Sequence, residues 1–168
     1  EGSIDGVTIR NMYCELSDGK PDAGYEYEGP VEDLPRNISP ASIVGLKGYD
    51  IRNVKLENIT IVTPGGGNPY YAKVGTDAKS LNAIPEMPKA YPEFSQFKEL
   101  PAWGFYIRHA KDIAFDNVKF IAKNRDYRPA IVTDDVKGLS LADVTFEEPG
   151  AKKKQIHTYQ TTNIQINK

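Results

Sequence analysis

The chain has 168 residues, of which 39% are hydrophobic and 26% are charged, and its formal net charge is −2. This balance gives no overall basic field of the kind that indicates nucleic acid or an anionic membrane as partner, and no apolar stretch approaches the roughly 20 residues of a membrane-spanning helix. The single cysteine, Cys14, excludes an internal disulfide and a zinc site built from cysteines. A chain of this length can still bury a core, so we expect one domain or a piece of a larger one.

A short pattern recurs along the chain, in which two alternating apolar residues are followed by an Asn or Asp and then by two more alternating apolar residues. Full or partial copies occur at 7–14, 54–61, 113–120, 139–146 and 164–166. The last copies are regularly spaced, since Leu139 follows Ile113 by 26 residues and Ile164 follows Leu139 by 25. Short apolar runs precede several copies, at 41–44, 103–107 and 130–132. We therefore expect each repeat to hold two short strands, joined by polar corners at 108–112 and 134–138.

The repeat length and composition predict the fold class. Runs rich in Val, Ile, Phe and Thr favour strands, and no segment has a sustained apolar helical face, so we expect an all-β protein with little helix. A step of about 25 residues is typical of one turn of a parallel β-helix, or solenoid. Alternation then points one row of side chains into the core: Ile9, Leu56, Phe115 and Leu141. The alternative is a β-sandwich with unrelated turns, which does not require a fixed step.

The Asn or Asp in each copy is expected at a bend between sheets, because these side chains bond to nearby backbone and tolerate the left-handed conformation. Stacked on successive turns, they form a predicted polar ladder of Asn11, Asn58, Asn117 and Asp143. One position is ambiguous, because residues 49–56 match the pattern as well as 54–61 do. Asn53 therefore competes with Asn58 for the same place in the ladder.

Two long insertions interrupt the repeats, at about 17–40 and 64–101. Loops of this length are usually functional lids or walls. Aromatic rings beside carboxylates and an Arg suit the faces and hydroxyls of sugars. The candidates for substrate contact are Tyr70, Tyr71, Tyr91, Trp103, Arg108 and His109. The alternative is that these rings pack a proline-rich loop onto the strands.

No catalytic residue, metal site or cofactor is predicted. Asp134 and Asp135 are the only adjacent pair of aspartates, but neighbours in a strand point to opposite faces, so we interpret the pair as part of a turn. His109 and His157 have no third ligand at a metal-binding spacing. The triple glycine at 65–67 lacks the Lys and helix of a phosphate-binding loop.

Four strings of the chain are unusual: Ile-Val-Thr-Pro-Gly-Gly-Gly-Asn-Pro at 61–69, Ile-Pro-Glu through Tyr-Pro-Glu at 84–93, Leu-Pro-Ala-Trp-Gly-Phe-Tyr-Ile-Arg-His at 100–109, and the segment 128–136. They resemble the C-terminal part of bacterial glycoside hydrolase family 28, the polygalacturonase-like pectin hydrolases. The resemblance covers most of residues 38–150. It implies a right-handed parallel β-helix, a pectin-type polysaccharide or oligosaccharide as partner, and inverting hydrolysis with Asp as acid and base and no metal. For the parent protein it also implies an extracytoplasmic location, periplasmic or secreted.

The family's active-site motifs are absent from this chain: Asn-Thr-Asp, Gly-Asp-Asp or Gln-Asp-Asp, Gly-His-Gly, and Arg-Ile-Lys. Thr133-Asp134-Asp135 is superficially like the second, but it lies in the wrong part of the family order. We therefore expect residues 1–168 to be a single β-helix segment from the C-terminal part of a longer domain, inactive alone, that supports the fold and walls the substrate groove.

Two other functions are compatible with the same sequence. The first is a non-catalytic carbohydrate-binding solenoid. The second is a structural module that stacks through its open ends, where exposed strand edges invite pairing into homo-oligomers. Neither nucleic acid nor a membrane is expected as a partner.

Overall fold

The computed structural model describes residues 2–17, 39–67, 74–89, 97 and 99–167. Within these ranges the chain is mostly strand: β1 (Asp5–Glu15), β2 (Ala41–Val44), β3 (Ile51–Thr63), β4 (Phe105–Ala122), β5 (Ile131–Glu147), β6 (Ile156–Tyr159) and β7 (Thr162–Asn167). A short helix, α1 (Ala78–Asn82), lies between β3 and β4, and Asp77 caps it by accepting a hydrogen bond from the backbone of Ser80. The prediction of an all-β protein with little helix is confirmed. The predicted insertion at 17–40 lies largely outside the described residues.

The seven strands form one sheet in which every strand pair is parallel. The order is β1-β3-β4-β5-β6, while β2 also pairs with β4 and β7 with β5. Ile113 pairs with Leu139, and Leu139 pairs with Ile164. The copies of the sequence pattern therefore lie side by side, which explains their spacing.

The strands are longer than the sequence pattern predicts. We expected corners at 108–112 and 134–138 to separate short strands, but β4 and β5 run continuously through them. Three residues of β4 have the left-handed conformation instead: His109, Asp112 and Asn117, with φ of 48°, 56° and 51°. A single left-handed residue turns the strand direction, and the pairing resumes with the next residue. The bend thus lies inside the strand.

These left-handed residues lie in three rows across neighbouring strands, as their paired neighbours show. The first row is Gly6, Asn53, Asp112, Gly138 and Asn163; the second is Asn11, Asn58, Asn117 and Asp143; the third is His109, Asp135 and Gln160. Asn53 and Asn58 therefore do not compete for one position, since each belongs to a different row.

Side chains of the second row bond to one another. Nδ2 of Asn58 donates to Oδ1 of Asn11 at 3.2 Å, and Nδ2 of Asn117 donates to Oδ1 of Asn58 at 2.8 Å. Asp143 continues the row on β5. Each asparagine thus combines tolerance of positive φ with a bond between strands.

The hydrophobic core lies on the inward face of the sheet. Leu56, Phe115 and Leu141 are buried there in one row, as expected. Ile9 belongs to the same row but is 41% exposed, so its predicted burial is wrong. The reason is its position, because β1 is an edge strand that pairs only with β3 among the described strands.

A second apolar cluster covers part of the outward face. Leu81, Ile84 and Leu100 pack there against Tyr106 of β4 and Val132 of β5. The segment around α1 and the residues just before β4 therefore form a layer over these strands, which we call the covering segment (74–89 and 99–102). Among the described helices, none has the length and apolar character needed to cross a membrane.

Candidate functional site

The predicted substrate-contact residues fall into three groups. Tyr70, Tyr71 and Tyr91 lie outside the described residues. Trp103 is only 1% exposed: its indole Nε1 lies 3.3 Å from Oε1 of Gln155, and its ring meets Phe120 edge-on. The expectation that Trp103 stacks on a sugar is therefore wrong, because no face of the ring reaches solvent. Arg108 and His109 form the third group, and the structure brings them together.

Arg108 and His109 lie among three carboxylates, and we call these five side chains the charged cluster: Glu86, Arg108, His109, Asp134 and Asp135. The sheet register creates most of it, because Arg108 pairs with Asp134 and the next residues, His109 and Asp135, share a row of bends. Glu86 joins from the covering segment.

Arg108 connects β5 to the covering segment. Its Nε lies 3.2 Å from Oδ2 of Asp134, at ion-pair distance but without hydrogen-bond alignment. Its Nη2 lies 3.3 Å from Oε1 of Glu86, and its Nη1 donates to the backbone oxygen of Ile84 at 2.8 Å. Since each guanidinium nitrogen lies against Asp134, Glu86 or Ile84 and Arg108 is 7% exposed, its first role is to hold these elements together.

His109 is held between two carboxylates. Its Nδ1 lies 2.8 Å from Oδ2 of Asp135, and its Nε2 lies 2.6 Å from Oε1 of Glu86. An ionised carboxylate only accepts hydrogen bonds, so a ring nitrogen that carries a proton donates to the carboxylate beside it. Glu86 also accepts a bond from the backbone nitrogen of Lys47 at 3.3 Å. The covering segment is thereby tied to β4 and to the turn after β2.

Within the cluster, the pKa of Glu86 is lowered whereas the pKa of Asp134 is raised. Partial burial acts to raise the pKa of Glu86, but the hydrogen bond and charge of His109 outweigh it, helped by the Lys47 bond and the Arg108 charge, so the pKa is lowered. For Asp134, burial is the largest effect and raises the pKa, against the opposing charges of Arg108 and His109. Burial also raises the pKa of Tyr106, whose hydroxyl has no hydrogen-bond partner among the described residues.

A cleft of about 210 Å³ opens beside the cluster. Residues 44–46 form one wall, 85–88 and Phe97 form the other, and Arg108 and Glu86 supply the charged groups. The wall at Gly45 approaches β4 closely, because an added Cβ there would lie 2.4 Å from the backbone oxygen of His109. Mainly apolar walls with a few placed polar groups are typical of small-ligand sites. We take this cleft as the candidate site.

The groups around the cleft are one partly exposed carboxylate, apolar surface and two aspartates that already have partners. Glu86 is 37% exposed and can accept a hydrogen bond from a hydroxyl group, while Phe97 and the prolines offer apolar surface. Asp134 is buried against Arg108, and Asp135 is bonded to His109, so neither presents a free carboxyl to a ligand. Within the described ranges, no three or more His, Cys, Asp or Glu side chains are grouped so as to hold a metal ion.

Sequence reasoning missed the partners of this cluster. We interpreted Asp134 and Asp135 as part of a turn, whereas Asp134 faces Arg108 and Asp135 faces His109 on β4. The repeat length could have indicated these partners, because residues 134 and 135 follow residues 108 and 109 by 26 positions. Nothing in the sequence indicates Glu86, which lies in a segment without periodicity.

A second buried charged group, the pair Arg128 and Asp126, bonds to neighbouring parts of the chain and has a structural role. Arg128 binds Asp126 through two bonds, Nε to Oδ1 at 3.0 Å and Nη2 to Oδ2 at 2.8 Å. Its Nη1 donates to the backbone oxygen of Leu100, and Asp126 accepts from the backbone of Gly67. Burial acts to raise the pKa of Asp126, but the bonds and charge of Arg128 prevail and lower it. This pair fastens three connecting segments together.

No family model, curated protein or solved structure matches the chain in the comparisons with known proteins.

Proposed function

We propose that the parallel sheet is part of a right-handed β-helix and that this chain is a carbohydrate-contacting segment of a pectin-directed protein similar to family 28 glycoside hydrolases. The β-helix is supported by the 25- and 26-residue register of β4, β5 and β7 and by the three rows of left-handed bends. Such rows are expected where successive turns of one helix repeat the same corners.

The observation that carries the proposed role is the cleft between residues 44–46 and 85–88. Two of the strings that resemble the pectin hydrolases contribute to its lining: the string beginning at Ile84 supplies 85–88, and the string beginning at Leu100 supplies Arg108. Phe97 supplies a ring for the C–H face of a sugar, and Glu86 supplies an acceptor for its hydroxyls. We therefore place the groove wall at this cleft.

In this proposal the chain binds but does not cleave. The family's catalytic aspartate motifs are absent, and Asp134 and Asp135 of the cluster are engaged by Arg108 and His109. Inverting hydrolysis and an extracytoplasmic location belong to the proposed parent protein. We expect the chain alone to release no reducing sugar from polygalacturonate, and measurable turnover would overturn the inactive role.

Calorimetric titration with trigalacturonate tests the groove wall. We expect saturable heat, and slower hydrogen exchange at 44–46 and 84–88 in the presence of the sugar. The substitution Phe97→Ala should weaken binding several-fold, whereas Tyr13→Ala, at an exposed ring on β1, should not. Absence of saturable heat, or equal affinity of Phe97→Ala and the unchanged protein, contradicts the proposal.

A structural module that stacks end to end is the second candidate. It is favoured by exposed isoleucines on two strands that each have a single neighbour among the described strands, Ile9 of β1 and Ile166 of β7.

A further inference from the structure

Three cations lie side by side on the outward face of the sheet. Arg52 of β3 pairs with Lys111 of β4, and Lys111 pairs with Lys137 of β5. All three residues are exposed, whereas the adjacent residues Ala110 and Val136 are buried in the inward direction. Neighbouring strands are about 4.8 Å apart, so the three positive charges form a line across the strands. We call Arg52, Lys111 and Lys137 the basic row.

The basic row is not neutralised within the described part of the chain. No carboxylate there lies within ion-pair distance of its three side chains, whereas other outward lysines of the sheet are paired: Lys55 with Glu57, Lys119 with Glu147 and Lys123 with Glu15. Like charges directly opposite one another on adjacent strands destabilise a sheet. The row therefore opposes folding unless an anionic partner offsets the repulsion.

The acids nearest in the register form no ion pair with the row. Asp5 is the register partner of Arg52, but its Oδ1 accepts a 2.6 Å bond from Nδ2 of Asn53 instead. Asp112 follows Lys111 at a left-handed bend, where its side chain lies against Gly138. Thr162 continues the line beyond Lys137. The basic row is thus three cations in line, with a carboxylate at its β1 end and a second beside Lys111, and it carries a net positive charge.

We propose that the basic row binds a linear acidic polysaccharide laid across the strands, with successive carboxylates facing successive cations. The choice of a polyuronate rests on the proposed function. The row itself favours a polymer with charges at short, regular intervals, because the strand spacing fixes the interval between its cations.

A polysaccharide fits better than the other common polyanions. Nucleic-acid surfaces combine a basic field with aromatic rings for base stacking, but this chain has a net charge of −2 and the row contains no ring. A membrane surface requires more cations or an apolar anchor for stable binding. These two partners are therefore outcomes of the test.

The basic row is separate from the cleft. Arg108 borders the cleft, Lys111 belongs to the row, and the left-handed bend at His109 lies between them. A cleft variant and a row variant therefore test different surfaces of the same folded protein.

The test measures binding of polygalacturonate to the full chain at low salt and again at 0.5 M NaCl. In the row variant, Arg52, Lys111 and Lys137 are replaced by Gln. In the matched control, Lys79, Lys152 and Lys154 are replaced by Gln; these are exposed and lie outside the row. Both variants change the net charge by −3. We expect affinity to fall about tenfold in the row variant and less than twofold in the control, with the difference reduced at high salt.

Equal affinity of the row variant and the unchanged protein would overturn the inference, as would an equal loss in both variants. Binding of poly-dT, or of phosphatidylcholine vesicles containing phosphatidylserine, as tightly as polygalacturonate would also overturn it. The single change Lys111→Gln, with an expected loss of about twofold, serves if the triple variant does not fold. If Phe97→Ala abolishes trigalacturonate binding while the row variant retains polygalacturonate affinity, the row fails and the groove wall stands. If instead the row variant loses polygalacturonate affinity while Phe97→Ala keeps its trigalacturonate affinity, the groove wall fails and the row stands.

Discussion

His109 and Asp135 occupy equivalent left-handed bends on neighbouring strands, and Nδ1 of the imidazole lies 2.8 Å from Oδ2 of the carboxylate. This contact joins two features that are usually treated separately, the backbone corner and the charged site. The other ring nitrogen holds Glu86. The position of the covering segment therefore depends on the geometry of a strand bend.

Removing the Glu86 charge should loosen the covering segment. In Glu86→Gln we expect the free energy of unfolding at pH 7 to fall by about 1 kcal/mol, a modest value because solvent screens this partly exposed carboxylate. Hydrogen exchange at 84–88 should become faster, while exchange in β4 changes little. Glu147→Gln, at an exposed pair with Lys119, is the control and should leave exchange at 84–88 unchanged.

The stability difference between Glu86→Gln and the unchanged protein should depend on pH in a defined direction. The folded-state pKa of Glu86 is lowered, so the unfolded carboxyl takes up its proton first as the pH falls. Its stabilising contribution is present above the unfolded pKa and is lost as the pH falls through the folded pKa. Urea unfolding at several pH values should therefore show the largest deficit of Glu86→Gln near neutrality and a shrinking deficit in acid. A deficit that grows in acid would contradict the assignment.

Removing Arg128 should lower the free energy of unfolding far more than Glu86→Gln does. Arg128→Met leaves the buried carboxylate of Asp126 without its bidentate partner, and breaking such a pair costs about 3–5 kcal/mol. Chemical unfolding measures the loss directly. Arg125→Gln, at an exposed position three residues away, should change stability by less than about 0.5 kcal/mol. Similar stabilities for the two variants would show that the Arg128 pair is dispensable.

The asparagine row allows conformational and hydrogen-bond effects to be separated. Asn58→Ala loses the bonds to Asn11 and Asn117 and places Ala at φ 53°, so we expect a loss of about 2 kcal/mol. Asn58→Gly loses the bonds without the left-handed penalty and should be less destabilised. Thermal unfolding distinguishes the two. If Gly is as destabilising as Ala, the positive φ contributes nothing.

The outer strands should support self-association. Ile9 on β1 is 41% exposed and Ile166 on β7 is 54% exposed, and unpaired strand edges promote pairing between chains. We expect the sedimentation coefficient to rise with concentration, and the double variant Ile9→Lys/Ile166→Lys to suppress the rise. Tyr49→Lys, an exposed ring outside the strands, is the control. Monomers at every concentration would remove the stacking role.

The sequence predicted those parts of the fold that depend on local repetition. The 25- and 26-residue steps indicated which residues of β4, β5 and β7 lie together, because the regular alternation and spacing can be read directly from the sequence. The bends at Asn and Asp were foreseeable because few other residues adopt positive φ at low cost. The bend at His109 was not, because an imidazole gives no comparable local signal.

The site depended on contacts between distant parts of the chain. Glu86 reaches His109 from a segment with no periodic pattern, and Trp103 is buried by Phe120 and Gln155, which follow it by 17 and 52 residues. An aromatic in a proline-rich string has the same local sequence whether it is buried or exposed. Its environment is decided by what folds over it.

Residues that pair on neighbouring strands are separated by very different lengths of chain: 47 residues from Asp5 to Arg52, 59 from Ile51 to Ala110, and 26 from Ala110 to Val136. The sheet nevertheless keeps one register and one set of bends throughout. Length variation is thus confined to the connections, which can grow or shrink without disturbing the strands. Such a frame lets recognition surfaces diversify during evolution while the underlying architecture remains unchanged.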